Sequence, residues 1–330
     1  MKKVFVSGGS GYIAMYCIKI LLEKGYNVVT SVREESQIDL VKKSLLKHNV
    51  AFENLNFTIL DLLKDEGWDD ALNGCEYVLH VASPVIPGDV DEDSLVKPAV
   101  EGMTRCLNAA IKNGAKKFVQ TSSYAAIYGN DKSEHGDDDW TDLSNKNLLP
   151  YEISKTKSEK KMWEIAGKSD ISACAINPVL VLGPSLTGVL SMSNRLTIKK
   201  LFNLPFVPDM AISVVGVMDV ADAHVRAMES KISNGKRFLL SEKTIKLVEL
   251  TKTLKGAGFN KVPTRVIPNF IFKFLALFVP SLRSIAKRLG SFEKLHTKNA
   301  NNLLEWFPKS ADMEIINSAK QLYDVGILKN

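Results

Sequence analysis

Tyr151 and Lys155 stand four residues apart in Pro150–Ala166, a stretch of helix-forming composition with proline suited to its first turn. At that spacing a phenol and an ammonium share one helix face. A free phenol titrates near about 10 and is a poor proton partner at neutrality, but a neighbouring cation stabilises the phenolate and lowers that value. Such a pair suits an oxidoreductase site that protonates or deprotonates an oxygen while hydride moves at the attached carbon. Thr121-Ser122-Ser123 lies upstream and offers hydroxyls to hold that oxygen. A second pair with the same spacing, Tyr128 and Lys132, runs through Gly129, Asn130 and Asp131, where nothing fixes the two side chains relative to each other.

Hydride chemistry needs a cofactor seat, and the N-terminus supplies one. Lys3–Ser7 has strand composition and leads into Gly8-Gly9-Ser10-Gly11-Tyr12-Ile13-Ala14. Tyr12–Lys24 then carries Ile13, Cys17, Ile20 and Leu21 at helical spacing and stops at Gly25. In this order the glycines let the backbone approach a dinucleotide pyrophosphate, and the helix N-terminus offers N–H groups and a positive dipole end. Ala14 takes the small position where helix packs on strand. A second strand, Asn27–Arg33, ends about twenty residues on, where an acidic residue would favour NAD. Arg33 stands there instead, and its planar fork suits a 2′-phosphate, so NADP(H) is expected over NAD, with Glu34 and Glu35 as the competing ribose partners.

Phe57–Asp61, Glu76–Val81, Lys117–Thr121 and Ile171–Ile176 are further short apolar runs, separated by helix-length stretches such as Ser94–Asn113. That rhythm predicts βαβ units and an α/β fold with a parallel sheet covered on both faces, whose ligands lie beyond the carboxyl ends of the strands. Asp61-Leu62, Val81-Ala82-Ser83 and Thr121–Ser123 fall at such ends. The polar stretch Gly129–Asn147 reads as a surface loop. Ile267–Pro280 is apolar but short, contains Lys273 and is bracketed by prolines, so a buried helix is expected, walling a substrate pocket or forming an oligomer contact. Peripheral membrane binding is its minority reading.

Composition sets bounds. With 330 residues and 45% hydrophobic content the chain can bury a sizeable core. The net charge of +6 is modest and no arginine stripe stands out, so the excess reads as solvated surface and no nucleic-acid module is expected. Cys17, Cys75, Cys106 and Cys174 lack metal or redox spacing and read as core residues of a reducing, cytoplasmic compartment. His80 and His224 read as structural, so no metal site is expected. The N-terminus opens directly on a strand, which leaves no room for a signal peptide, and no integral membrane segment is expected.

Taken together the motifs resemble the extended short-chain dehydrogenase/reductase family, and within it the dihydroflavonol reductase-like branch. The resemblance rests on Val6–Ala14, Ser31–Arg33, His80–Pro84, Lys97–Gly102, Thr121–Ala126, Tyr151–Lys155, Ile176–Val179, Gly183-Pro184, Asp219–His224 and the late Trp306-Phe-Pro308 and Ala319–Gly326. It implies a Rossmann-like doubly wound parallel sheet with a small, mostly helical C-terminal substrate lobe. The implied division is 1–177 for the dinucleotide domain, with 213–241 returning to it, and 178–330 for the lobe. It also implies NADPH-dependent reduction of an aldehyde or ketone, with Tyr151 as proton donor, Lys155 on the nicotinamide ribose and Ser123, rather than Ser122, on the substrate oxygen.

By the same resemblance Gly8, Gly11, Tyr12 and Ile13 would hold the pyrophosphate and Arg33 the 2′-phosphate. Asp61 and Leu62 would meet adenine, Val81, Ala82 and Ser83 the bridging ribose region, and Asn177, Pro178 and Val179 the nicotinamide side. Ser7 and Ala14 replace the family's usual Thr and final Gly. Tyr124 places a bulky ring after the serines, which favours small aldehydes, diketones or keto esters over a flavonoid. Competing readings are a nucleotide-sugar epimerase or dehydratase with tightly held NAD, a β-hydroxysteroid dehydrogenase, and a non-enzymatic NADP-binding redox sensor. A monomer or a homodimer is compatible with the sequence.

Overall fold

The computed structural model describes residues 2–83, 91–130, 132–279, 282–286 and 288–328. Pro84, Asp131 and Pro280, named above, lie outside them. Seven strands form the main sheet: β1 (Lys3–Val6), β2 (Asn27–Val32), β3 (Leu55–Ile59), β4 (Tyr77–His80), β5 (Lys117–Thr121), β6 (Ser172–Pro178) and β7 (Arg237–Leu240). Their order is β7-β6-β5-β4-β1-β2-β3 and every neighbouring pair is parallel. The order reverses between β1 and β4, which opens a crevice at their carboxyl ends.

Alternation along β1 explains the two layers. Val4 and Val6 face a core that includes Cys17, Leu21, Val220 and Phe238, while Phe5 faces the other side with Trp68, Cys106, Phe118 and Met162. All four cysteines are buried and free. The first helix, Tyr12–Glu23, and the helix Val217–Glu229 cover one face; Glu92–Lys112 and Pro150–Ala166 pack together on the other.

The C-terminal part adds helices at Leu247–Gly256, Asn269–Phe278, Lys298–Leu304 and Ala311–Asp324. Helices outweigh strands there, as expected, and a small sheet joins them. Ala211–Gly216 pairs antiparallel with Lys243–Lys246 and parallel with Leu180–Leu182 to make a three-stranded sheet. Leu182, Val214, Leu250, Leu254, Ile315 and Leu322 form its own core.

Two expectations are corrected here. Within Gly129–Asn147, Glu134–Gly136 is a strand paired with Lys294–His296, and His135, Asp137 and Thr141 are buried, so the stretch is structural rather than a plain surface loop. Asp137 accepts from Leu239 N–H at 2.7 Å and Asn299 N–H at 3.0 Å, which ties this segment to β7. The apolar helix is not buried: in Asn269–Phe278 only Phe272 and Ala276 are covered.

Candidate active site

The glycine turn is fixed by crowding. Gly8 has φ +72°, the left-handed region, and a Cβ on Gly9 would lie 2.2 Å from Thr30 Oγ1. A Cβ on Gly11 would lie 2.9 Å from the Gly8 carbonyl oxygen, which already accepts from Gly11 N–H at 2.8 Å. Gly11 caps the first helix, and the first helical bond runs from Met15 N–H to Gly11 O. The N–H groups of Tyr12, Ile13 and Ala14 are therefore the helix's orphan donors, aimed where a pyrophosphate would sit. A turn that admits no side chain beneath such donors fits a dinucleotide. Tyr12 contributes only through its backbone, because its hydroxyl donates to Gly183 O at 2.8 Å.

Ser7 joins this turn to the end of β4. Its Oγ accepts from Val81 N–H and Ala82 N–H, both at 2.9 Å, and meets His80 Nδ1 at 3.1 Å. With those lone pairs occupied, the hydroxyl donates to Nδ1, so His80 carries its hydrogen on Nε2. Burial, helped by the charge of Lys155, holds the imidazole neutral, with its pKa down at about 3. Val81, Ala82 and Ser83 are half-buried beside the glycines. His224 is also structural: it meets Thr121 Oγ1 at 2.6 Å and Val220 O at 2.7 Å.

At the adenosine end the arrangement is looser. Arg33 is exposed just past β2, and among the described residues its backbone N–H is held, by Gln37 Oε1 at 2.8 Å, while its guanidinium is not. Asp61 and Leu62 follow β3. Asp61 Oδ1 accepts from Leu63 N–H at 2.9 Å, and Leu62 packs so tightly over Gly102 that a Cβ there would lie 2.6 Å from Leu62 Cδ2.

Tyr151 and Lys155 come together. Pro150 opens the helix, and Glu152 Oε2 accepts from Leu149 N–H at 2.9 Å, closing its first turn. The Lys155 ammonium lies 5.8 Å from the centre of the Tyr151 ring. The second candidate pair is pulled apart: Tyr128 bonds Glu152 and Arg288, while Lys132 pairs with Asp139.

Sequence reasoning expected the Tyr151 phenol to be driven below its ordinary pKa. It is instead raised by burial, with the Ser123 hydroxyl bond opposing that shift. Burial also brings Lys155 down to about 8, and the Glu159 charge resists. The phenol is therefore protonated at neutrality, the state a proton donor needs.

The serines divide their work. Ser122 donates to Glu159 Oε2, whereas Ser123 caps the short helix Tyr124–Ala126, accepting from Ala125 N–H at 3.1 Å, and faces Tyr151. Asn177 does not point into the crevice. Fully buried, it donates to Glu159 Oε2 at 2.7 Å and to Ser123 O at 3.2 Å, so it braces the site. Pro178 and Val179 are buried at the end of β6, and Val179 N–H bonds Leu240 O at 3.1 Å.

Glu159 was missed from the sequence. It has no exposed surface and gathers Ser122, Asn177, Trp163 Nε1 at 3.2 Å and Arg237 Nε at 2.6 Å. Arg237 in turn bonds Ala126 O, Asp137 O and Asp139 O, and stacks 3.8 Å from the Trp140 ring centre. The signal was the four-residue stripe Tyr151, Lys155, Glu159, which continues the catalytic face inward.

A glycine turn at the switch point of a doubly wound sheet, with a Ser, Tyr and Lys set two strands away, defines a dinucleotide-dependent enzyme of the short-chain dehydrogenase type. Residues 4–240 match the NAD dependent epimerase/dehydratase family, and the chain belongs to that family. It is 33% identical over 261 residues to the cinnamoyl-CoA reductase CAD2 of Medicago truncatula, covering 76% of this chain and 79% of that one. Among solved structures it is similar to Gre2 of Candida albicans in complex with NADPH, with TM-score 0.79 and 26% identity over 99% of this chain and 100% of that one. The yeast methylglyoxal/isovaleraldehyde reductase Gre2, complexed with NADPH, shares the fold at TM-score 0.82 and 24% identity, over 99% and 100% of the two chains.

Proposed function

We propose that this protein is an NADPH-dependent reductase of small aldehydes or ketones, with Tyr151 as the proton donor. The observation that carries the reading is the Tyr151 phenol between the Ser123 hydroxyl and the Lys155 ammonium, at the strand ends beside the glycine turn. NADPH, once bound, supplies the hydride. Ser123 holds the substrate oxygen, Tyr151 gives it a proton as negative charge develops, and Lys155 offsets the charge left on the phenolate and binds the nicotinamide ribose. Gly8, Gly11 and the Tyr12 and Ile13 N–H groups hold the pyrophosphate, and Arg33 holds the 2′-phosphate. The NADPH-bound Gre2 neighbours and the reductase relatives support both cofactor and reaction class.

Tyr124 supports a small substrate. Its ring follows Ser123, stacks on Tyr128 with centroids 5.0 Å apart, and bonds Glu293 at 2.6 Å. The test is NADPH oxidation across a panel of aldehydes, diketones and keto esters, by the unmodified chain and by Tyr151→Phe. The variant should lose about 10²–10⁴-fold in kcat while binding NADPH normally. Unchanged turnover would overturn the assignment.

The acidity of Lys155 sets a pH limit. Below about 8 the ammonium is charged, and above it the charge is lost. The kcat/KM of the unmodified chain should therefore fall as pH rises through that region, because this quantity reports groups of the free enzyme. A profile flat across the alkaline range would remove Lys155's charge from the mechanism.

A further inference from the structure

One surface is not used by the reductase chemistry. In the helix Asn269–Phe278, Phe270 is 74% exposed, Phe274 59%, Leu277 66% and Phe278 71%. Their spacing of four, three and one puts them on a single face. The opposite face is anchored, with Phe272 buried against Phe206 in an edge-to-face contact at 6.3 Å and Ala276 covered. An apolar patch of this kind on a protein surface marks contact with something else.

The charge around it names the partner. Residues 261–290 hold six basic and no acidic residues, and the other 37 basic and 37 acidic residues of the chain balance. The whole net charge of +6 is thus concentrated in the segment that carries the exposed rings. Lys261, Arg265, Lys273 and Arg283 are exposed. Arg283 reaches back to the Ala276 and Leu277 carbonyls at 3.3 Å, which sets its charge at the helix end beside Leu277 and Phe278. Among the described basic residues of this segment, Arg288 alone pairs with a carboxylate, that of Glu152 at 3.0 Å.

We infer that the helix Asn269–Phe278 is a docking element for the surface of an anionic lipid bilayer, into whose interface Phe270, Phe274, Leu277 and Phe278 insert while Lys261, Arg265, Lys273 and Arg283 meet the headgroups. Aromatic and aliphatic side chains on one face with basic residues at their margins are what an interfacial helix needs. A second copy of this chain is disfavoured as the occupant, because joining two such faces brings two concentrations of positive charge together. Among the described residues no helix is long and apolar enough to cross a membrane, so the contact is peripheral. Docking is independent of the reductase reading, since none of these residues belongs to the catalytic or cofactor set.

The test is cosedimentation of the full chain with vesicles of phosphatidylcholine alone and of phosphatidylcholine mixed with phosphatidylglycerol. Binding to the anionic vesicles, release by added salt and little binding to the neutral ones are expected. Lys273→Gln should weaken partitioning by about fivefold, the effect of one basic residue near a charged surface. Phe270→Ser combined with Phe274→Ser should abolish it, with thermal melting and NADPH binding unchanged because both rings are exposed. Failure to bind either vesicle, or equal binding to both, would overturn the inference. So would self-association of the unmodified chain that the paired serine variant abolishes, because a second copy would then cover the face.

Discussion

The two ends of the cofactor crevice are built on opposite principles. The nicotinamide end is braced by buried polar groups that engage one another: Ser7 spans Val81, Ala82 and His80, and Glu159 gathers Ser122, Asn177, Trp163 and Arg237. At the adenosine end Arg33 is exposed, its guanidinium on a flexible stem beyond the last paired residue of β2. The difference follows from what each end must do. Proton transfer requires atoms held to fractions of an ångström, which only mutually satisfied buried groups provide. Recognition of a phosphate in water requires only charge within reach, so the same fold can change cofactor at that end without disturbing the reaction.

Glu159 gives the sharpest way to break this comparison. Glu159→Gln removes the negative partner of the buried Arg237 guanidinium and should cost about 3–5 kcal/mol, measured by denaturant unfolding. Combining it with Arg237→Met removes the uncompensated charge and should recover much of that loss. If the single variant is as stable as the parent, the buried end is not held by this pair. A smaller effect is expected at the turn. Gly9→Ala places a methyl against Thr30, whose hydroxyl donates to Val6 O at 2.8 Å and cannot swing away without losing that bond. Overpacking of this kind costs about 1–3 kcal/mol, and titration should show weaker NADPH binding through displaced N–H groups.

The same contrast explains what the sequence revealed. Glycines and a Tyr-x-x-x-Lys spacing are legible because local geometry favours them: Gly8 takes the left-handed φ that suits glycine, and a helix turn puts Lys155 beside Tyr151. Strand runs were legible from composition, with ends displaced by a residue or two, as in β3. Glu159 was not, because its partners come from positions 122, 177 and 237, and only the folded sheet brings those together. Asp137 was hidden for the same reason inside a stretch whose polar composition suggested solvent. The helix Asn269–Phe278 misled in the other direction. Apolar composition reports a need for a nonpolar neighbour, and the chain itself supplies that neighbour to only one face.

Arg33→Asp is the mildest of these changes and the most informative about the outer end. The guanidinium is exposed and unbonded among the described residues, so melting should stay within the small range typical of surface substitutions, about 0.5 kcal/mol. An aspartate would repel a 2′-phosphate and accept from ribose hydroxyls instead. NADPH should then bind about tenfold more weakly, the loss of one charge-assisted contact, with NADH improved relative to the parent in fluorescence titrations. The kcat with saturating cofactor should stay near that of the parent, because Ser123, Tyr151 and Lys155 are positioned by other elements, the end of β5 and the helix Pro150–Ala166. A large fall in kcat would mean the two ends are mechanically coupled, while unchanged NADPH affinity would transfer the phosphate contact away from Arg33.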